Sequence, residues 1–126
     1  MIRGVGIDIT DIERIRSLYM RHGRRFLHRV FTDQEIAYCE QRFNPPQHLG
    51  ARFAAKEAAA KALGTGLMHG VTFKDIEVVV HDGPPCILLY NKAAETAQAL
   101  GISTIHLSMS HDRGCAVAIV IMESLP

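Results

Sequence analysis

Glu57 and Lys61 are the residues whose types and spacing most clearly suggest chemistry. They lie within residues 52–66, a stretch of good helix formers that predicts a helix ending at Gly64. Because helical residues three and four apart share a face, a carboxylate and an ammonium lie beside the ring of Phe53. An ordinary ion pair, which stabilises a helix by about 0.2–0.5 kcal/mol, also explains this spacing.

Asp8 is a second carboxylate, near the end of a predicted strand. Residues 2–9 are apolar and β-branched with two interior glycines, which predicts a strand with close backbone neighbours. Thr10 and Asp11 are better placed than Asp8 to cap the helix that follows. Two carboxylates on different elements, Asp8 and Glu57, suit Mg²⁺, which binds one or two carboxylates together with waters and phosphate oxygens.

Lys61 and His111 are the remaining candidates. Lys61 would add positive charge for a phosphate group. His111, at a strand end, fits a base, a phosphate contact or an ordinary surface histidine, the last being the commonest. The glycine-dense loop 64–70 lacks the P-loop pattern, and no Ser/His/Asp, H-E-x-x-H or C-x-x-C arrangement occurs. Mg²⁺-dependent phosphate chemistry is therefore one hypothesis, beside the purely structural explanation.

Length and composition indicate one folded domain over residues 1–126. The hydrophobic content of 48% is too high for a disordered chain. No apolar run reaches the roughly 18 residues of a membrane span, and the N-terminus enters a strand pattern without a signal-peptide segment. The widely spaced Cys39, Cys86 and Cys115 indicate reduced thiols and a cytoplasmic location, with buried packing as the default for Cys86 and Cys115.

Positive charge is concentrated near the N-terminus, although the whole chain has a net charge of only +1. Arg14, Arg21 and Arg25 fall along one side of a helix predicted over residues 11–22 and continued over 24–30. Such a face is commonly just solvated, but arginines beside apolar residues also suggest docking of an acidic helix. We do not expect nucleic-acid binding, because no known motif is present and the chain is nearly neutral.

The remaining patterns complete an α+β fold. Residues 32–35 form a capping box for a helix reaching about Phe43, and residues 44–46 separate it from the central helix, with Pro46 in its first turn. Because predicted hairpins pair antiparallel and helices cluster in the first half, we expect helices packed on a largely antiparallel sheet. The later elements are strands at 75–81 and 86–90, a helix capped by Asn91 at 92–100, and strands at 104–111 and 115–122.

Five segments of the chain occur in an order that is typical of one protein family. They are residues 4–9, Phe31 and Thr32 with Glu35, residues 52–66, residues 75–78, and the late Ser108, Ser110 and His111. Together they resemble the bacterial holo-[acyl-carrier-protein] synthases, the short, single-domain branch of the 4'-phosphopantetheinyl transferases. The resemblance covers nearly the whole chain, and its Phe-x-x-Lys-Glu-x-x-x-Lys segment with the upstream Gly-x-Asp is highly specific.

This resemblance implies the 4'-phosphopantetheinyl transferase fold and a reaction. The 4'-phosphopantetheine arm of coenzyme A would pass to a serine of apo-acyl carrier protein, releasing adenosine 3',5'-bisphosphate, in support of fatty acid biosynthesis. Mg²⁺ would bind Asp8 and Glu57, with Glu57 and Lys61 catalytic, in a homotrimer with sites at subunit interfaces. The implied coenzyme A contacts are Arg52, Lys61, Gly64 and His111. The implied carrier-docking residues are Arg14, Arg21, Arg24 and Arg25.

Two other functions remain open from the residues alone. A non-enzymatic module would bind an acidic protein through the arginine helix, with Glu57 and Lys61 as a structural pair. A different Mg²⁺-dependent nucleotide enzyme would show turnover without a carrier protein. Binding alone should survive a chelator, whereas transfer should not.

Overall fold

The computed structural model describes residues 1–126 and shows helices packed on antiparallel strands. The elements are β1 (Ile2–Asp11), α1 (Ile12–His22), α2 (Arg24–Val30), α3 (Asp33–Glu40), α4 (Pro45–Leu63), a 3₁₀ turn (Phe73–Asp75), β2 (Ile76–Val79), β3 (Cys86–Leu89), α5 (Asn91–Ala99), β4 (Ile102–Asp112) and β5 (Cys115–Ser124). β1, β5 and β4 form one sheet in that order, and β2 pairs with β3 in another. The predicted α+β class is confirmed, although the strands divide into two sheets.

The boundary between α3 and α4 differs from the prediction. The capping box at Thr32 is present, but α3 ends at Glu40 rather than at Phe43. Asn44 turns the chain with a left-handed φ of 60°, a conformation that asparagine adopts more readily than most residues. Pro45 then takes the first helical position, where its missing N–H is no loss.

Asp75 and Asn91 shift two further boundaries. Asp75 lies in the 3₁₀ turn and accepts from the Thr72 amide at 3.1 Å, so β2 is shorter than the predicted 75–81. Asn91 is the first residue of α5 rather than its cap, and its side-chain amide donates to Asp75 at 3.0 Å. None of the helices combines the length and the apolar character needed to cross a membrane.

The alanine-rich helix α4 packs against both sheets and against α1 and α3. Its small side chains let neighbouring backbone come close. A Cβ added at Gly6 would lie 1.8 Å from the carbonyl oxygen of Ala58, and one at Gly4 would lie 1.9 Å from that of Ala62. Only glycine at these two positions allows β1 to pack so closely on α4.

The three-stranded sheet has one face against α4 and one face open to solvent. On the open face β1 and β5 place Ile7 beside Ile119 and Ile9 beside Val117. Ile7 and Ile9 are 59% and 68% exposed. We call Val5, Ile7, Ile9, Val117 and Ile119 the apolar sheet face. A contiguous apolar surface of this kind commonly marks a protein interface.

Candidate functional site

Asp8, Glu57 and Lys61 come together where β1 crosses α4. The Nζ of Lys61 lies 3.1 Å from Oδ1 of Asp8 and donates to the carbonyl oxygen of Ile7 at 2.9 Å. Burial raises the pKa of Glu57, and the neighbouring Asp8 carboxylate raises that pKa further. The nearby charge of Lys61 opposes this rise. The two predicted carboxylates and the predicted lysine therefore form one group. We call Asp8, Glu57 and Lys61 the carboxylate cluster.

The alternation of β1 explains why Asp8 faces α4. Gly4, Gly6 and Asp8 lie on the same face of the strand, because successive side chains point to opposite faces. The two glycines bring the strand onto α4, and Asp8 is the next residue on that face with a side chain. Its side chain is only 11% exposed, whereas that of Lys61 is 53% exposed. The ion pair of Lys61 is thus with Asp8 rather than with Glu57 on its own helix.

The donor set of this cluster fits a divalent cation that prefers oxygen. Asp8 and Glu57 are adjacent carboxylates, and their mutual repulsion contributes to the raised pKa of Glu57. The chain has no cluster of three or more His, Cys, Asp or Glu side chains that would surround an ion. Two carboxylates leave the other coordination positions to water and phosphate oxygens, which is how Mg²⁺ is commonly bound.

Arg52 and His111 line a cavity of about 310 Å³, which we call the Arg52 cavity. Arg52 is buried, and its Nε has no hydrogen-bond partner. Its guanidinium lies 4.2 Å from the Tyr38 ring centroid and donates to the carbonyl oxygen of His48 at 3.3 Å. Nδ1 of His111 is 2.8 Å from the side-chain amide nitrogen of Gln47. A buried cation with an unused donor is suited to an anionic ligand.

The sequence interpretation missed Tyr38 and His48, which line this cavity, and Arg42, which packs on Tyr38. The Arg42 guanidinium lies 4.0 Å from the Tyr38 ring centroid, and its hydrogen bond is the main influence that lowers the pKa of Tyr38. Burial lowers the pKa of His48, and the charge of Arg52 lowers it further. The four-residue spacing of His48 and Arg52 on α4 is a signal that could have found His48. Nothing local identifies Tyr38, which comes from α3.

Asp8 and Lys61 line another cavity, of about 330 Å³, together with Ile9. Neither Arg52 nor His111 lines it, so it is separate from the Arg52 cavity. Asp8 belongs to β1 and His111 to β4, which are the two edges of the three-stranded sheet. The predicted site residues therefore form two groups that a single chain does not join.

Gly64 ends α4, as predicted. It has a left-handed φ of 84°, and its N–H donates to the carbonyl oxygen of Lys61 at 3.0 Å. A Cβ added there would meet no atom within 4 Å, so the backbone at this end of α4 is open to a ligand. Gly64 lies within one helical turn of Lys61.

The four predicted docking arginines are all exposed on α1 and α2: Arg14, Arg21, Arg24 and Arg25. The guanidinium of Arg14 lies 6.0 Å from the Phe53 ring centroid, and its charge is among those that lower the pKa of Glu57. Arg25 lines a cavity of about 210 Å³ with Arg29, which the sequence interpretation did not select. The basic surface thus extends from α2 towards the carboxylate cluster.

Arg24 differs from the other three because it already has an acidic partner. Its Nη2 lies 2.8 Å from Oε1 of Glu40 on α3. The other carboxylate oxygen of Glu40 accepts from the Tyr19 hydroxyl at 2.8 Å, and this bond is the largest cause of the lowered pKa of Glu40. An acidic partner would have to compete with Glu40 for Arg24.

Cys86 and Cys115 differ from the default expectation of buried packing, whereas Cys39 is buried. Cys39 is buried, and burial raises the pKa of its thiol to about 12. Cys86 and Cys115 are exposed, because each is the first residue of a strand next to a turn. All three are free thiols.

The chain matches one known protein family along most of its length. A family model described as the 4'-phosphopantetheinyl transferase superfamily matches residues 4–119. The protein named holo-[acyl-carrier-protein] synthase of Koribacter versatilis is 49% identical over 124 residues, which cover 98% of this chain and 99% of that protein.

Solved structures give the same result. The holo-[acyl-carrier-protein] synthase from Neisseria meningitidis is 37% identical with a TM-score of 0.88, covering 98% of this chain and 100% of that chain. The Helicobacter pylori synthase in complex with coenzyme A is 33% identical with a TM-score of 0.83, covering 94% of this chain and 99% of that chain. Sequence and fold agree along nearly the full chain, and it belongs to the 4'-phosphopantetheinyl transferase superfamily.

Proposed function

We propose that this chain transfers the 4'-phosphopantetheine group of coenzyme A to a serine of apo-acyl carrier protein, giving holo-acyl carrier protein and adenosine 3',5'-bisphosphate. The observation that carries the proposal is the cluster of Asp8, Glu57 and Lys61, two carboxylates and a cation held together by β1 and α4. Relatives named holo-[acyl-carrier-protein] synthase, and a related structure with coenzyme A, support the choice of substrates.

Asp8 and Glu57 are the proposed ligands of Mg²⁺. Their repulsion contributes to the raised pKa of Glu57, and a divalent cation held by both would relieve it. When bound, Mg²⁺ polarises the phosphoryl group and neutralises its charge.

Lys61 and Glu57 are the proposed catalytic residues. Phosphoryl transfer needs alignment and charge stabilisation more than covalent help from the protein. Lys61 is held by the Asp8 carboxylate and the Ile7 carbonyl, so its ammonium is fixed where it can stabilise charge on the departing bisphosphate. Glu57 presents a carboxylate that can accept the serine proton.

Arg52, Gly64 and His111 are the proposed further contacts to coenzyme A, together with Lys61. Arg52 and His111 line one cavity, and a guanidinium beside an imidazole suits a phosphate group. Gly64 offers open backbone at the end of α4 beyond Lys61.

A homotrimer would complete the site across subunit interfaces. Within one chain Asp8 and His111 lie at opposite edges of the sheet, so the carboxylate cluster and the Arg52 cavity are separate. The apolar sheet face supplies an exposed surface that another copy can cover. Coenzyme A would then lie between the carboxylate cluster of one copy and the Arg52 cavity of the next.

The carrier protein would dock on α1 and α2. Their exposed arginines offer a basic surface to an acidic partner, with Arg14 nearest to the carboxylate cluster. The proposed docking residues are Arg14, Arg21, Arg24 and Arg25. We assign residues 1–126 to one domain working in fatty acid biosynthesis, and the three free thiols support a reducing, cytoplasmic compartment.

Glu57→Gln tests the catalytic cluster. Glu57 is only half-buried, so the variant should melt within a few degrees of the wild type while its transfer rate falls at least about 100-fold. Glu95→Gln, at an exposed position on α5, is the matched control and should change neither quantity. A large loss of stability with retained transfer would show that Glu57 is structural. Carrier binding without transfer by the wild type would favour a binding module.

A further inference from the structure

Lys56 is a fully buried lysine next to Glu57 in sequence. Its Nζ lies 2.7 Å from Oε1 of Glu35 and donates to the carbonyl oxygens of Phe73 at 3.0 Å and Ile76 at 2.5 Å. An ammonium has three N–H donors, so all of them are used. Lysines are almost never fully buried unless they are paired, which makes this an exceptional position in the chain.

The partner of Lys56 is equally enclosed. Glu35 is 1% exposed. Its Oε1 also accepts from the amide of Thr32 at 2.9 Å, and its Oε2 accepts from the amide of Val78 at 2.8 Å. The pair therefore links α4 to the start of α3, to the 3₁₀ turn and to β2. Satisfied hydrogen bonds on both partners make such a buried pair sustainable.

Glu77 extends this network away from α4. One of its oxygens accepts from the Thr32 hydroxyl at 2.5 Å, and the other accepts from the Tyr90 hydroxyl at 2.8 Å. Hydrogen bonds with Thr32, Val78 and Tyr90 therefore hold Glu35 and Glu77 in addition to the contact of Glu35 with α4.

Around Lys56 the buried apolar side chains of α4 are small. Its alanines at 54, 55, 58, 59 and 60 are fully buried, whereas the larger Leu49 and Phe53 precede this stretch and Leu63 follows it. Alanine contacts along this part of the helix specify its rotation less sharply than hydrogen bonds do. Hydrogen bonds are directional, and a buried polar pair can therefore select one orientation where alanine contacts cannot.

Glu57 is sensitive to that rotation. Adjacent helical residues are separated by about 100° around the axis, so Lys56 and Glu57 move together when α4 turns. Asp8 stays on β1, which packs on α4 through the backbone contact of Gly6 with Ala58. A small rotation would therefore move the Glu57 carboxyl relative to Asp8.

We propose that Lys56 is a positioning residue: its buried pairing with Glu35 sets the rotation of α4 and so holds the Glu57 carboxyl beside Asp8. In the proposed enzyme it acts through Glu57 and touches no substrate. The inference rests on the proposed function only for its consequence in catalysis. The geometric claim stands on the contacts of Lys56 and Glu35.

The test uses Lys56→Met combined with Glu35→Gln. Lys56→Met alone would leave the Glu35 charge buried and unpaired, which is strongly destabilising. The double variant removes both charges and keeps an oxygen for the capping box. We expect it to fold, to bind Mn²⁺ at least tenfold more weakly than the wild type, and to lose at least tenfold in kcat with an unchanged KM for the carrier protein. Wild-type Mn²⁺ affinity and kcat in a folded double variant would overturn the proposal.

Two further variants separate positioning from stability. Tyr90→Phe removes one hydrogen bond of the same network without touching α4, and it should lower the melting temperature while Mn²⁺ affinity stays unchanged. Lys56→Arg keeps the charge, but its larger planar head cannot fit between the two carbonyls unless α4 moves. It should fold and weaken Mn²⁺ binding, and a folded Lys56→Arg protein with unchanged binding contradicts the proposal.

Crystal structures of the wild type and Lys56→Arg give a readout that needs no metal. A rotated α4 with a longer Asp8–Glu57 separation supports the positioning role, and superimposable structures overturn it. If the wild type itself fails to bind Mn²⁺, the proposed metal site is wrong. The comparison of the two structures still decides the role of Lys56.

Discussion

Lys61 pairs with Asp8 across two elements: its Nζ on α4 lies 3.1 Å from Oδ1 of the aspartate on β1. The second hydrogen bond of this ammonium, to the carbonyl oxygen of Ile7 at 2.9 Å, also reaches β1. Lys61 is therefore oriented by the strand that carries the proposed metal ligand, and its position depends on how closely β1 packs on α4.

Lys61→Met should remove activity and leave the fold intact. The side chain is 53% exposed, and an exposed ion pair contributes only about 0–1 kcal/mol to stability. Loss of the cation should lower the transfer rate at least about 100-fold, because charge developing on the leaving bisphosphate is no longer stabilised. Initial rates and thermal melts measure the two effects, with Lys92→Met on α5 as the exposed control. Transfer within tenfold of the wild type would exclude a catalytic Lys61.

Gly6→Ala should disturb both the fold and the site. The new Cβ would lie 1.8 Å from the carbonyl oxygen of Ala58, so β1 must move away from α4 and take Asp8 with it. Overpacking of this kind costs about 1–3 kcal/mol or more. Urea unfolding and transfer rates should both show the loss. Gly83→Ala, where a Cβ meets nothing within 4 Å, is the matched control. Equal stability of the two variants would contradict the packing account.

Local signals predicted the elements and the identities of the clustered residues. The alanine-rich helix closed by Gly64, the Thr32 capping box and the alternation of β1 all depend on neighbours in sequence, so they can be interpreted without the fold. Asp8 stands out in the sequence because Thr10 and Asp11 are better placed to cap the next helix, and in the structure it lies beside Glu57 and Lys61.

Contacts between distant segments could not be predicted in the same way. The pairing of Lys61 with Asp8 depends on how β1 crosses α4, and spacing along one helix favoured Glu57 instead. Lys56 looked like an ordinary helix former, because its partner Glu35 lies on another helix. The opposite placement of Asp8 and His111 depends on strand order, which periodicity does not reveal.

Ile119→Lys should prevent assembly of the proposed homotrimer. Ile119 lies next to Ile7 in the apolar sheet face, and a charge there would have to be buried when another copy covers it. Light scattering after gel filtration should give three times the chain mass of 14.0 kDa for the wild type and a single chain for the variant. Glu95→Lys on α5 should remain trimeric. A wild type that runs as a monomer, or a trimeric Ile119→Lys, would refute this assembly.

Arg21→Glu combined with Arg25→Glu should weaken carrier docking specifically. Both side chains are exposed, so stability should change little, whereas repulsion of an acidic carrier should raise its KM at least about tenfold. The KM for coenzyme A should stay the same. Salt should raise the carrier KM of the wild type more than that of the variant, because screening weakens the attraction. Lys92→Glu is an exposed charge-reversal control on α5 that changes the net charge by half as much, and an equal effect from it would argue against a specific docking surface.

The central claim is tested most directly by intact-mass spectrometry of apo-acyl carrier protein after incubation with this protein, coenzyme A and Mg²⁺, with a parallel sample in EDTA. We predict that the carrier gains the mass of one phosphopantetheine arm, on its serine, and that EDTA abolishes the gain. An unchanged carrier mass in the presence of Mg²⁺ would contradict the proposed transfer, and a gain that persists in EDTA would contradict the metal role of Asp8 and Glu57.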